Sequence, residues 1–363
     1  MHKKSIFLFV LVLLMLGSFF GCANNDKDNN LETIQFIIDG STITGLSEDA
    51  YKSEEIEIPS NISGVEITSI GKGAFKDCDR IKKITLPETI KNIGDSAFYG
   101  CSGLTTINLP RGIESIGEEA FYNCNQLTSI NLPAGIDKIA AKTFKECRGL
   151  KEIVFPSNIL IIESESFYKC NGLVEINIPS TIKNIAIDAF SCCKNIEKFI
   201  VDANNINYSS FDGNLYDKNR SKLIWYSLGK KSSSYTIPEG VISIGQHAFA
   251  YETDLVNIKI ANSVESIGYG AFTGCGALET VSFGGENSNL KKIDHRAFFN
   301  NVLLKTIEVP PKLEYVGKYA FTNCTSISQV ISYVSKTGWE NINIERTDSG
   351  NATFIKESVR IYK

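Results

Sequence analysis

Large apolar side chains recur along this chain at a fixed interval. A phenylalanine returns every 23 residues. A cysteine three positions after each phenylalanine has the same period, and so does a proline. The phenylalanines of the first block are Phe75, Phe98, Phe121, Phe144, Phe167 and Phe190. Three interlocked series with one period indicate a repeat protein, in which each unit is one supersecondary element that stacks on its neighbours.

One unit of the repeat shows which elements to expect. In residues 104–110 (LTTINLP), Ile107 and Leu109 alternate with polar side chains before a proline, which is the pattern of a half-buried strand. Residues 113–117 (IESIG) predict a second short extended segment, and residues 118–125 leave room for at most one helical or 3₁₀ turn. Such a unit is one layer thick, so it buries its apolar side chains only when the next unit covers them.

Stacking of these units predicts a repeat solenoid, mostly β with short helical or 3₁₀ turns, whose parallel strands lie about 4.8 Å apart. The period returns in a second block after an interruption. The phenylalanines of that block are Phe249, Phe272, Phe298 and Phe321. Glu252 and Asn301 take the place of the cysteine in two of its units. The phenylalanine anchors of both blocks together predict about ten coils.

The first 22 residues have the pattern of an export signal. Lys3 and Lys4 precede an apolar run over residues 6–16, which is too short for a permanent membrane-spanning helix and has the dimensions of a secretory signal. Gly21 and Cys22 at its end resemble a bacterial lipobox. That resemblance implies cleavage before Cys22 and attachment of lipid to its sulfur; an ordinary cleaved signal with an incidental cysteine is the alternative.

The period and the composition divide the chain into segments. The predicted segments are a signal peptide (1–21), a lipidated cysteine with a flexible polar tether (22–33), an N-terminal β cap (34–58), a first solenoid block (59–201), a hairpin-like interruption (202–236), a second solenoid block (237–330) and a C-terminal cap (331–363). Caps are expected because a solenoid must cover the open edges of its first and last coils.

The repeat pattern resembles a known family. The pattern L-x-x-I-x-L-P-x-x-I-x-x-I-G-x-x-A-F-x-x-C is similar to BspA-type leucine-rich repeats; residues 104–124 (LTTINLPRGIESIGEEAFYNC) match it closely, and the resemblance covers roughly 59–330. Glu163 and Asp294 depart from it at the glycine position, so that turn does not strictly require glycine. The resemblance implies a bacterial surface protein that binds host matrix or plasma proteins, such as fibronectin and fibrinogen, or other cells.

The charge balance excludes some classes of partner. The chain has 363 residues and a formal net charge of −4, and loss of residues 1–21 removes Lys3 and Lys4 and no acid, which leaves −6. Because no basic run is present, the sequence offers no electrostatic footprint for nucleic acid or for an anionic membrane surface. We expect protein partners, no nucleic acid, and contact with a membrane through the lipid anchor only.

Few residues suggest chemistry. One cysteine per coil beside a core phenylalanine fits a column of buried thiols, although coils at this spacing also bring neighbouring cysteines within reach of a disulfide. His247 and His295 have no cysteine or serine partner in a recognisable arrangement, and a one-dimensional ladder does not converge ligands on a metal. The carboxylates show no paired motif, although their spacing does not exclude a glycosidase-type pair. We predict no enzyme, no cofactor and no metal site.

Two surfaces are candidates for binding. The outward side of the strands is an extended polar face that suits large partners, and a plain solvated sheet is the alternative. Its candidate residues are Lys82, Lys83, Thr106, Asn108, Ser129, Asn131, Glu152, Glu175, Asn177 and Lys198. The second candidate is an aromatic patch in the interruption, made of Tyr216, Trp225 and Tyr226, which could equally form the small core that holds the hairpin on the solenoid.

Together these features predict a cell-surface lipoprotein that binds large partners through its solenoid, in the manner of an adhesin. A non-catalytic envelope scaffold or spacer is the alternative, and a carbohydrate-binding module that uses the interruption is the third hypothesis.

Overall fold

The computed structural model of the chain describes residues 36–345, 351–355 and 360–363. The predicted signal peptide (1–21) and the predicted tether with Cys22 (22–33) lie outside the described residues. The described part is a β-solenoid of about 13 turns with almost no helix, which confirms the predicted fold class.

The segments with the pattern L-x-x-I-x-L line one side of the solenoid, here called the first sheet, in three runs of parallel strands. The first run ends at Asn108 and the second at Val201, and the third begins at Ser234 after the interruption. Each strand places isoleucine, valine or a similar side chain inward between two outward residues, as in Lys83–Thr85, where Ile84 is buried between exposed neighbours. Between Asn108 and Glu175 the ladder narrows to a single bridge from Asn131 to Val154. The strands of the first sheet are Glu55–Glu57, Lys83–Thr85, Thr106–Asn108, Glu175–Ile178, Lys198–Val201, Ser234–Thr236, Asn257–Lys259, Thr280–Ser282, Thr306–Val309, Gln329–Ser332 and Arg360–Tyr362.

The I-x-x-I-G segments line the second side of the solenoid, here called the second sheet, and its repeating strands are only two residues long. Within each run they pair in parallel and in register, so that Ser115 lies beside Asn92 and Ile116 beside Ile93, and the pairing breaks after Ile116 and after Ile185. The repeating strands are Ser69–Ile70, Asn92–Ile93, Ser115–Ile116, Lys138–Ile139, Ile161–Ile162, Asn184–Ile185, Ser243–Ile244, Ser266–Ile267, Lys292–Ile293, Tyr315–Val316 and Asn343–Ile344. The hairpin Phe36–Asp39 and Thr42–Leu46 covers the N-terminal edge of this sheet, and a separate small hairpin pairs Asn61–Ile62 with Val65–Glu66.

The third side of each coil, here called the turn face, consists of tight turns around the phenylalanine. These turns require left-handed backbone two residues before and two residues after the phenylalanine. Gly73 precedes Phe75 with φ of 63° and Gly100 follows Phe98 with φ of 73°, and around Phe121 the same two places are held by Glu119 and Asn123 at 56° and 59°. Regular helix is confined to short pieces. The helical segments are the 3₁₀ turns Glu48–Lys52, Leu228–Lys230 and Gly285–Asn287 and the α-helices Lys336–Glu340 and Ala352–Ile355.

The core is a stack of phenylalanine rings that runs along the inside of the turn face. Consecutive rings lie close to parallel, with centroids 5.2 Å apart between Phe98 and Phe121 and 5.6 Å apart between Phe121 and Phe144. The C-terminal segment extends the second stack, because Phe354 packs 4.3 Å from Phe321. The solenoid has about 13 turns rather than the ten that the repeat phenylalanines count, because the N-terminal hairpin, the interruption and the C-terminal segment form further coils outside the 23-residue period.

The interruption, residues 202–236, replaces one coil with an antiparallel meander. The strands of this meander are Tyr208–Phe211, Asn214–Asp217 and Lys222–Trp225. Its last strand rejoins the second sheet in parallel, with Leu223 beside Ile244. The core divides at this point, with Trp225 in the cluster of the first block and Tyr226 in the cluster of the second.

Candidate functional site

The first sheet presents nearly all of the predicted binding residues to solvent. Nine of the ten predicted side chains are exposed, and Glu175 is half-buried. They are aligned from coil to coil because the strands pair in register: Thr106 lies beside Lys83 and Asn108 beside Thr85. The structure therefore brings residues that are 23 positions apart into continuous outward columns, which is the geometry of an extended contact surface.

Charged residues on this surface pair with each other across neighbouring coils. The Lys198 ammonium lies 2.6 Å from the Glu175 carboxylate, and Lys82 lies 2.8 Å from Glu54. The hydrogen bond from Lys198 lowers the pKa of Glu175, and that from Lys82 lowers the pKa of Glu54. Because these groups are exposed, the pairs contribute little to stability, and they leave the surface nearly neutral.

Sequence reasoning missed the apolar residues of the same surface. Val154 lies beside Asn131, and Ile200 lies beside Asn177, in the outward column that is otherwise polar. Val154 is 64% exposed and Ile200 is 40% exposed. The signal was present in the sequence as aliphatic residues at a repeat position that elsewhere in the first block holds threonine or asparagine, as at Thr85 and Asn108. Exposed aliphatic side chains within a polar surface can contribute binding energy when a partner covers them.

The predicted aromatic patch does not exist as a surface. Tyr216, Trp225 and Tyr226 are at most 5% exposed. Trp225 packs edge-on against Phe190 at 5.8 Å, and Tyr226 stacks on Phe249 at 4.7 Å. Trp225 and Tyr226 thus take the place of the missing repeat phenylalanine, and all three side chains form the core that joins the interruption to both blocks rather than a recognition site.

The cysteine column is buried, and its thiols act as structural hydrogen-bond donors. The Sγ of Cys101 donates to the carbonyl oxygen of Phe75 at 3.0 Å, and Cys147 donates in the same way to Phe121 at 3.0 Å. Asn301 occupies the cysteine place and makes the equivalent bond from Nδ2 to the Phe272 carbonyl at 2.9 Å. All cysteines of the described residues are free thiols, and burial raises the pKa of Cys324 to about 12, which disfavours the reactive thiolate.

The two histidines lie in different surroundings. His295 Nδ1 lies 2.7 Å from Asp294 and its Nε2 lies 3.2 Å from Glu345. His247 is half-buried, and burial lowers its pKa. Within residues 36–345, 351–355 and 360–363, neither ring has a hydrogen-bonded serine or cysteine, and no three His, Cys, Asp or Glu side chains converge to hold a metal ion. In the same ranges, no helix is long and apolar enough to span a membrane.

Comparisons with known proteins agree with this architecture. The profile of the BspA type leucine-rich repeat region matches residues 44–164, 137–217 and 225–342, in six copies. The chain matches none of the curated proteins with which it was compared.

Solved structures share the fold. A leucine-rich cell surface protein from Faecalibacterium prausnitzii is 26% identical with a TM-score of 0.62, over 89% of this chain and 99% of that protein. A leucine-rich repeat protein from Bacteroides ovatus is 26% identical with a TM-score of 0.54, over 91% of this chain and 98% of that one. The pneumococcal vaccine antigen PcpA is 22% identical with a TM-score of 0.67, over 92% of both chains, and shows the fold alone. Because the repeat profile covers most of the chain and the folds agree, this protein belongs to the BspA-type leucine-rich-repeat family.

Proposed function

We propose that this chain is an exported surface lipoprotein that binds large protein partners along its first sheet, in the manner of an adhesin. The observation that supports this proposal is the first sheet, whose outward residues align from one coil to the next. Leucine-rich-repeat solenoids generally mediate protein–protein interaction and are generally non-catalytic. The similarity to a protein described as a leucine-rich cell surface protein supports display outside the cell.

The proposed partner classes are host matrix and plasma proteins. In this proposal Val154 and Ile200 supply apolar contacts, and polar residues such as Asn131 and Asn177 surround them. Each Å² of apolar surface that a partner covers in this column would contribute about 25 cal/mol to the free energy of binding. The paired charges at the edges would then contribute to orientation more than to affinity.

The direct test is binding of the purified chain to immobilised fibronectin, fibrinogen and collagen. The variant that combines Val154→Ser with Ile200→Ser should weaken saturable binding at least tenfold. Its matched control is Ile161→Ser, because Ile161 is also exposed, at 36%, and lies on the second sheet. Absence of binding to all three proteins, or an equal loss in the control, would refute the role of the first sheet in binding these partners.

The proposed anchor is a lipid on Cys22. Its support is the lipobox-like sequence, because the residue lies outside the described part of the chain. Metabolic labelling with a radioactive fatty acid should label the wild type and not Cys22→Ser, and the variant should leave the membrane fraction. A variant that stays membrane-bound and labelled would show that Cys22 is not the attachment site.

A second candidate function is a non-catalytic envelope spacer, and one observation favours it. The charges of the first sheet are satisfied within the chain, as in the pairs Lys198–Glu175 and Lys305–Glu279, at 2.6 and 2.7 Å. Charges that already pair within the chain do not require a charged partner to compensate them. Protease treatment of intact cells separates the two functions, since a surface-displayed adhesin is cleaved and an internal spacer is protected.

A further inference from the structure

The turn face is incomplete at one coil, the one formed by the interruption. In a regular coil six residues lead from the second sheet to the core ring, as from Ser243 to Phe249. In the interruption Lys222 pairs with Ser243, and Tyr226 already stacks on Phe249. The coil therefore reaches the core in four residues, and two residues of the outer turn are missing.

The missing turn leaves main-chain groups of the neighbouring coil without partners. In regular coils the core phenylalanine and the residue two positions later donate N–H bonds to the next coil, as Phe98 does to Ala120 and Gly100 to Tyr122, both at 2.8 Å. The N–H groups of Phe190 and Cys192 have no acceptor within the described part of the chain. Main-chain donors that the protein leaves unpaired bond to water or to a ligand, so these two N–H groups are available to an external acceptor.

A crevice of about 190 Å³ opens at this position. Its floor is apolar and includes Phe190, Trp225 and Leu228. The volume is below the usual range of about 300–1,000 Å³ for small-molecule sites. It is the size of one large side chain, and interfaces commonly place a single anchor side chain in such a pocket.

The rim of the crevice is acidic and aromatic. The Asp188 carboxylate accepts only neutral donors, from Ser164 Oγ at 2.8 Å and the Glu165 N–H at 3.3 Å, and it has no basic partner among the residues the structure describes. Glu165, by contrast, is paired with Lys145 at 2.8 Å. His247 also lines the crevice; burial lowers its pKa, and the nearby Asp188 carboxylate acts in the opposite direction. Of the two carboxylates that line the crevice, Asp188 is therefore the one without an ion pair among the described residues.

The rings on the rim suit a cation. Lys145 and Lys169 already lie over the ring of Tyr168, with Nζ 4.8 and 5.1 Å from its centroid. Tyr251 presents a second ring at the crevice and is 49% exposed. A planar guanidinium stacks on tyrosine and forms paired hydrogen bonds with a carboxylate, whereas an ammonium makes a cation–π contact without stacking and cannot form the paired bonds.

We propose that the crevice binds an arginine side chain of a protein partner. The guanidinium faces Asp188 and stacks against Tyr251, the aliphatic stem covers the apolar floor, and a main-chain carbonyl of the partner accepts the N–H of Phe190 or Cys192. The proposal rests on the proposed function in taking the ligand to be part of a protein.

The test uses a small probe, N-acetyl-arginine N-methylamide, titrated into the purified ¹⁵N-labelled chain and followed by NMR. We expect saturable shifts of the Phe190, Cys192 and Ala250 amide signals. The citrulline analogue has the same shape without the charge and should bind at least tenfold more weakly. Equal binding of the two probes, or shifts spread evenly over all coils, would overturn the proposal.

Two matched variants test whether the Asp188 carboxylate supplies the negative charge that the arginine probe recognises. Asp188→Asn keeps an oxygen for the Glu165 N–H and should weaken the arginine probe about tenfold. Glu119→Gln changes a carboxylate at the same turn position of a regular coil and should leave the affinity unchanged; an equal loss in both variants contradicts a site at Asp188. Because the probe is small, failure of matrix proteins to bind the first sheet leaves this result intact, and the two proposals fail separately.

Discussion

The stacked rings of the core make Phe121 the most informative position for testing the energetics of the solenoid. Phe121 has no exposed surface and lies between Phe98 and Phe144, at 5.2 and 5.6 Å. A buried aromatic side chain covers about 150–250 Å², which at about 25 cal/mol per Å² corresponds to about 4–6 kcal/mol. Main-chain hydrogen bonds fix the spacing of the coils, as from the Phe121 N–H to the Thr143 carbonyl oxygen at 2.9 Å. The coils therefore cannot close over the space that Phe121→Ala leaves, and a cavity should remain. We expect a loss of about 3–5 kcal/mol.

The assay is urea unfolding of the purified chain followed by circular dichroism. Phe121→Leu retains much of the volume without the ring faces and should cost about 1–2 kcal/mol, between the alanine variant and the wild type. Thr106→Ala, on the exposed first sheet, should change the stability by less than about 0.5 kcal/mol. If Phe121→Ala and Thr106→Ala shift the midpoint equally, the rings do not fill the core as described.

Three further changes test individual contacts. Asn301→Cys should cost no more than about 1 kcal/mol of stability, because a thiol can donate to the Phe272 carbonyl oxygen as it does in other coils. Asn301→Leu leaves that carbonyl unpaired and should cost about 1–3 kcal/mol. Thermal melting of the two variants measures the difference. Burial raises the pKa of Glu252, so its ionised form opposes folding at pH 7, and wild-type stability relative to Glu252→Gln should rise as the pH falls from about 7 to about 4. A flat difference between those two proteins across the pH range would contradict this. Trp225→Ala should lower the melting temperature and cost about 3–5 kcal/mol, and an unchanged melting temperature would mean that Trp225 is not a core residue.

The repeating part of the fold could be predicted from the sequence because each unit repeats the same physical requirement. The inward positions at Ile107 and Phe121 recur every 23 residues, and a single layer of strands can bury them only by stacking. The number of coils could not be predicted in this way. The N-terminal hairpin and the segment around Asn343 form coils through main-chain pairing, which needs no particular side chain.

The candidate sites were harder to predict because exposure depends on what replaces a missing repeat residue. Trp225 and Tyr226 look like a surface patch in a turn-rich segment, but their rings take the place of the missing repeat phenylalanine, against Phe190 and Phe249. The crevice at Asp188 follows from the omission of two turn residues in a different coil, and no motif marks that omission. Val154 and Ile200, by contrast, were visible as aliphatic residues in a polar column.

The interruption therefore joins the two blocks and also weakens their connection. Trp225 belongs to the first core and its neighbour Tyr226 to the second, so adjacent residues couple two separate stacks. Lys222 joins the second sheet only on the side of the second block, where it pairs with Ser243, and the main-chain bonds of the turn face stop at Phe190 and Cys192. In a solenoid, stability is approximately the sum of coil and interface terms, so the loss of these bonds makes this interface weaker than its neighbours. A ligand that fills the crevice supplies the missing acceptors only when both blocks are folded, and its binding should stabilise their contact by mass action.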